Sequence, residues 1–175
     1  MPYAEAMARF GSDKPDTRFG LELMDVTDAV RTSQFVVFRS AVEGGGSVRA
    51  INVKGMADKL SRKEIDKLVE VAKTYGAKGL AYTRWTADAK SSSFEKFLTE
   101  EEIAALYAAA DFAQGDVLLL AADANSEKAC TILGAVRLAV AEKYELIDKD
   151  KFNFLWVTDF PLFEYSEEEL SLIHI

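Results

Sequence analysis

Residues 152–165 read FNFLWVTDFPLFEY. Phe152, Phe154, Leu155, Trp156 and Val157 make a nearly continuous apolar run of β-favouring residues. Such a run predicts a strand covered on both faces, because a half-exposed strand would alternate apolar and polar residues. Asp159 interrupts the run, and Pro161 has no N–H to give to a ladder. A strand ending in a carboxylate and a turn suits the rim of a binding cleft; a core strand followed by a plain loop suits the same residues. Only residues 166–175 follow, and they hold nothing that would complete a large sheet around such a strand. The stretch therefore predicts a piece of a larger protein.

The remaining chain is ordinary globular material. Its 175 residues have room for one domain, or one domain with parts of another. Hydrophobic residues make up 49%, enough for a sizeable core on this length. The net charge of −8 argues against a general nucleic-acid footprint, which needs clustered Lys and Arg, although a larger parent could still touch RNA locally. Cys130 is the one cysteine, so no internal disulfide forms and a reducing compartment fits. The N-terminus, MPYAEAMARF, has no signal-type apolar core. No apolar run reaches the ~18 residues that span a bilayer. These features predict a soluble, cytoplasmic protein with no membrane partner.

From the N-terminus, Pro2 followed by Tyr3, Met7 and Phe10 predicts a short helix stopped by Gly11. The loop GSDKPDTRFG, residues 11–20, gathers Ser12, Asp13, Lys14, Asp16 and Arg18 around Pro15. These charges could meet an anionic or zwitterionic ligand; the same residue types also build solvated turns. Residues 35–40, FVVFRS, and 48–53 predict two strands joined as a hairpin through the glycine turn EGGGS. That turn lacks the Gly-Lys-Ser/Thr ending and following helix of a phosphate loop.

Helices are predicted over 61–75, with Ser61 and Glu64 as a capping box, and from Thr99, with Glu102 as a second box. A third runs from Asn125 to about Tyr144 with Leu133, Val136 and Val140 aligned. Lys128, Arg137 and Lys143 read as part of its solvated face. Further strands are predicted at 80–85 and 117–122. The order β-β-α-β-α-β-α predicts an α+β domain, with a mainly antiparallel sheet and helices on one side.

Conventional catalytic sets are missing. His174 is the lone histidine, so no triad and no usual zinc site can be built in a folded core. Cys130, set among Ala129, Ile132 and Leu133, reads as a small buried hydrophobe.

Four stretches nevertheless resemble one family in order and spacing: MPYAEAMARFGSDKPDTRFGLEL, INVKGMADKLSRKEIDKL, TYGAKGLAY and FNFLWVTDFPLFEY. Together they resemble the bacterial-type aspartyl-tRNA synthetases, from residue 1 to about 169. The resemblance implies a class II catalytic domain interrupted by an inserted domain of the kind also found in tRNA amidotransferases. Residues 1–28 would enter as catalytic-domain chain, 29–148 would be the insert, and 149–169 would return as a catalytic-domain strand. It also implies a homodimeric, ATP- and magnesium-dependent ligase. Such a ligase activates aspartate as aspartyl-adenylate and transfers it to the 3′ end of tRNA. The family's anticodon-binding barrel, dimer motif, ATP-binding arginines and paired histidines have no counterpart here, so the segment alone is expected to be inactive. No catalytic, cofactor-binding or metal residue carries over. Ser12, Asp13, Lys14, Asp16, Arg18 and Asp159 are expected near the cleft without an assigned role. The ending LSLIHI departs from the family and resembles a translated sequencing adapter, so residues 170–175 are expected to be non-native. The competing expectation is a stand-alone binding module of the tRNA-charging machinery.

Overall fold

The computed structural model describes residues 1–166 and 171–174. In chain order the elements are α1 (Tyr3–Phe10), β1 (Met24–Asp25), α2 (Val36–Glu43), β2 (Ser47–Val53), α3 (Arg62–Thr74), β3 (Ala81–Trp85), β4 (Lys90–Ser92), α4 (Glu100–Ala109), β5 (Val117–Asp123), α5 (Ser126–Lys143), β6 (Phe163–Ser166) and β7 (Ser171–His174). The first five strands form one antiparallel sheet in the order β1-β2-β5-β3-β4. The fold class is α+β, as the sequence predicts.

β5 is the centre of the sheet because its run VLLLA can be buried on both sides. Val117, Leu119 and Ala121 face one way with Ile51 and Val53 of β2, against Ile65 and Leu68 of α3 and Leu133, Val136 and Val140 of α5. Leu118 and Leu120 face the other way with Val48 and Ala50, against Phe38 of α2, Phe94, and Leu106 of α4. The period-two alternation of a strand thus divides one apolar run between two cores. The helices cover both faces of the sheet, where the sequence reading expected one.

That difference comes from α2. Residues 36–40 are helical, with Phe35 as the extended N-cap, not the expected strand, and no hairpin joins them to β2. Phe38 and Ala41 lie three residues apart, on one helical stripe, and are the residues that bury. Val36 and Val37, whose branching suggested a strand, are exposed at 60% and 47%. Packing of the Phe38 stripe outweighs the weak β preference of those valines. The glycine turn joins a helix to a strand. A Cβ on Gly46 would sit 2.0 Å from the Asp123 carbonyl oxygen, so close approach to β5 demands glycine there.

The helix ends follow local chemistry with one exception. Thr99 and Glu102 form the expected capping box, and Asn125 accepts from the N–H groups of Glu127 and Lys128 at 3.0 and 3.1 Å. Ser61 makes no such side-chain bond, so the expected Ser61–Glu64 box is absent. Its partner Glu64 pairs with Lys67 and Lys143 instead. Cys130 is buried, as expected, and burial pushes its thiol up.

Residues 152–157 do not form the two-sided strand that their composition predicts. Phe152, Phe154 and Trp156 are 73%, 95% and 85% exposed. Residues 151–157 have no assigned helix or strand, and a parallel bridge between Pro2 and Thr158 is one of the links from this segment to the N-terminus. β6 and β7 pair with each other, antiparallel and apart from the main sheet. Of the LSLIHI ending, Leu170 and Ile175 lie outside the described residues. No described helix is long and apolar enough to cross a membrane.

Candidate functional site

The candidate site is the place where residues 1–3 and 153–160 meet the loop 11–20. Its foundation is a backbone contact. α1 ends at Gly11, whose φ of +66° is left-handed, and a Cβ there would lie 2.1 Å from the Cys130 carbonyl oxygen on α5. Opposite it, a Cβ on Gly134 would lie 2.6 Å from the Gly11 carbonyl oxygen. Two glycines thus let α1 and α5 touch directly.

Beyond Gly11 the loop is internally bonded. The Lys14 N–H donates to Ser12 Oγ at 3.0 Å, and the Arg18 N–H donates to Asp16 Oδ1 at 3.0 Å. The Arg18 guanidinium also grips both Asp16 oxygens, at 2.7 to 3.3 Å, and holds that carboxyl below its usual range. At the loop's exit Arg9 forms a two-pronged pair with Glu22, both distances 2.8 Å. The Leu23 N–H donates to the Arg9 carbonyl at 2.8 Å.

Arg137 holds the middle of the loop. The sequence reading placed it on the solvated face of α5, yet it is 1% exposed. Its Nε donates to the Leu21 carbonyl at 3.1 Å, and one terminal nitrogen faces the carbonyls of Asp16, Phe19 and Gly20 at 2.8, 3.2 and 3.0 Å. Its guanidinium lies 4.0 Å from the Phe19 ring centre and 5.0 Å from that of Phe10. Burial lowers its pKa to about 10, with Asp16 and Glu22 opposing the shift, so it stays charged at neutral pH. The four carbonyls offset much of the cost of enclosing the charge. Spacing could have identified it: Arg137 falls within the apolar series Leu133, Val136, Val140.

The returning chain closes the site. The Met1 ammonium donates to the Trp156 carbonyl at 2.8 Å, Thr158 N–H to Met1 at 3.0 Å, and Tyr3 N–H to Thr158 at 2.7 Å. Asn153 Nδ2 reaches the Thr17 carbonyl and hydroxyl at 3.2 and 3.1 Å. Tyr3 donates to Glu127 of α5 and packs on Phe160, ring centres 5.1 Å apart. Between these parts lies an open groove of about 370 Å³, lined by Tyr3, Ser12, Asp13, Glu127 and Phe160 among others.

Of the residues singled out from sequence, Ser12 and Asp13 line this groove. Asp159 stands beside its wall residue Phe160, with a left-handed φ of +56° and a bond from its neighbour Thr158. Lys14 points outward, 3.9 Å from Asp13. Asp16 and Arg18 satisfy each other. The sequence reading missed Arg137, Tyr3, Glu127 and the Arg9–Glu22 pair. Among the described residues, no three His, Cys, Asp or Glu side chains are placed to hold a metal ion.

A family model described as the GAD domain matches residues 38–133. An aspartate–tRNA(Asp/Asn) ligase of Lachnoclostridium phytofermentans is 54% identical over 170 residues, 97% of this chain and 28% of the relative. An aspartate–tRNA ligase of Agathobacter rectalis is 57% identical over 170 residues with the same two shares. A third, the aspartate–tRNA(Asp/Asn) ligase of Anoxybacillus flavithermus, is 53% identical over 169 residues. The chain spans 28% of the length of each of these curated relatives.

Proposed function

The chain belongs to the GAD domain family, and on that premise we propose that it is an internal segment of an aspartate–tRNA ligase. The parent activates aspartate with ATP and magnesium and esterifies the 3′ end of tRNA. It has a class II catalytic domain and works in the cytoplasm as a homodimer. The segment alone is inactive, because the groups that bind ATP and magnesium and perform the chemistry lie in parts of the parent outside it. Residues 170–175 are not part of the parent.

The observation that carries this reading is the pairing of residues 1–3 with residues 156–158. Met1 bonds to Trp156 and Tyr3 to Thr158, so the two flanks of the sheet domain lie side by side. A domain inserted into another has this anatomy. The exposed side chains of Phe152, Phe154 and Trp156 fit a strand whose covering layers belong to the host domain. Ser12, Asp13, Lys14, Asp16, Arg18 and Asp159 then lie where the insert joins that host, beside its cleft. Relatives named for aspartate tRNA alone and for both aspartate and asparagine tRNA match equally well. The choice between them resides in anticodon recognition elsewhere in the parent.

The test is aspartate-dependent exchange of pyrophosphate into ATP by the full-length protein that carries this segment. Exchange is expected; none with aspartate, under conditions where the protein is folded, contradicts the reading. A second reading, a stand-alone binding module, is favoured by one observation: both cores close within residues 23–140. It predicts cooperative folding and a binding partner without any exchange activity.

A further inference from the structure

We infer that Arg137 is a positioning residue: from α5 of the inserted domain, its guanidinium sets the loop 11–20 that borders the ligase cleft. This rests on the ligase reading above. The loop's own bonds are short-range, Ser12 to Lys14 and Asp16 to Arg18, and they fix its turns without fixing its place. Its place comes from α5. The Gly11–Gly134 contact holds the loop's start, and Arg137 holds its middle and end through the carbonyls of Asp16, Phe19, Gly20 and Leu21.

The chemistry is specific to arginine. Four carbonyl oxygens converge on one planar cation that also lies against the Phe19 ring. A lysine offers a single point charge on a flexible stem and cannot span the same set. An apolar residue would leave the carbonyls that face Arg137 without that donor. The cation on α5 therefore works as a bridge: any shift of α5 carries the loop with it. On the other side the loop meets the returning segment through Thr17 and Asn153. Arg137 thus couples the inserted domain to both catalytic-domain segments while touching no substrate.

The experiment uses the full-length ligase with Arg137→Lys and, from the loop side, Phe19→Leu. Three readouts are taken: pyrophosphate exchange at varied aspartate and ATP, amide hydrogen exchange over residues 12–22, and thermal unfolding as a folding control. Both variants are expected to fold and to speed loop amide exchange about tenfold or more. KM for aspartate or ATP should rise about tenfold while α5 and sheet amides stay protected, since small misplacements near reacting groups cost that much or more. Unchanged loop exchange in the folded variants overturns the inference. So does faster loop exchange with kcat and both KM values unchanged, because the loop would then be held but without consequence. Absence of aspartate-dependent exchange in the unmodified enzyme is a different result: it overturns the ligase reading, and the positioning role falls with it.

Discussion

Gly11 and Gly134 face each other so closely that neither tolerates a side chain. Each Cβ, if present, would fall within 3 Å of the other segment's backbone. Gly134→Ala should therefore force α1 and α5 apart and cost about 1–3 kcal/mol of stability, the usual penalty for overpacking. Chemical denaturation of the isolated chain measures this. A variant as stable as the parent sequence would mean that α1 does not sit on α5 as described.

The helical α2 makes an opposed pair of expectations. Phe38→Ala should cost about 3–5 kcal/mol, because its ring fills the second core. Val37→Ala should be nearly neutral or slightly stabilising, since Val37 is exposed and alanine favours helix. A strand over these residues would reverse the second sign. Denaturant midpoints of the two variants decide it.

These two cases show what was legible from residues. α1, α3, α4, α5, β2, β3 and β5 follow from period, caps and glycine stops. α2 was not legible, because two adjacent valines and two phenylalanines read as a strand until Phe38 and Ala41 are seen to share a core-facing stripe. Arg137 was hidden by the rule that spaced charges on a helix face water, although its place in an apolar series contradicts that rule. The run 117–121 and the run 152–157 look alike in composition. The first is buried because helices of this chain cover both its faces; the second is exposed because nothing among the described residues covers it.

The domain boundary expected at residue 29 can be tested by truncation. Leu23 and Val26 are buried, and β1 pairs Met24 with Ala50. A chain trimmed to 29–148 loses that strand and those contacts, worth several kcal/mol by area. It should unfold at lower denaturant than a chain trimmed to 1–148. Equal midpoints would place the boundary where the sequence suggested.

Acid should weaken the loop in a defined window. Asp16 has its carboxyl depressed by Arg18 in the folded state, below its ordinary 3.8. Its contribution is present above that ordinary value and is lost as pH falls through the depressed folded value. Asp16→Asn removes the contribution. The variant should be less stable than the parent sequence at pH 5–7, with the gap closing below about pH 4. A gap that stays constant to low pH would mean that the Asp16–Arg18 pair adds nothing to stability.

The central claim is that this chain is an inserted domain with two flanks whose remaining layers lie elsewhere in the parent. Amide hydrogen exchange over residues 152–157 tests it most directly, measured in the isolated chain and in the full-length protein. The account predicts rapid exchange in the isolated chain and strong protection in the full-length protein, where the host sheet pairs with and covers this segment. Equally fast exchange in both would contradict it, because the segment would then have no host.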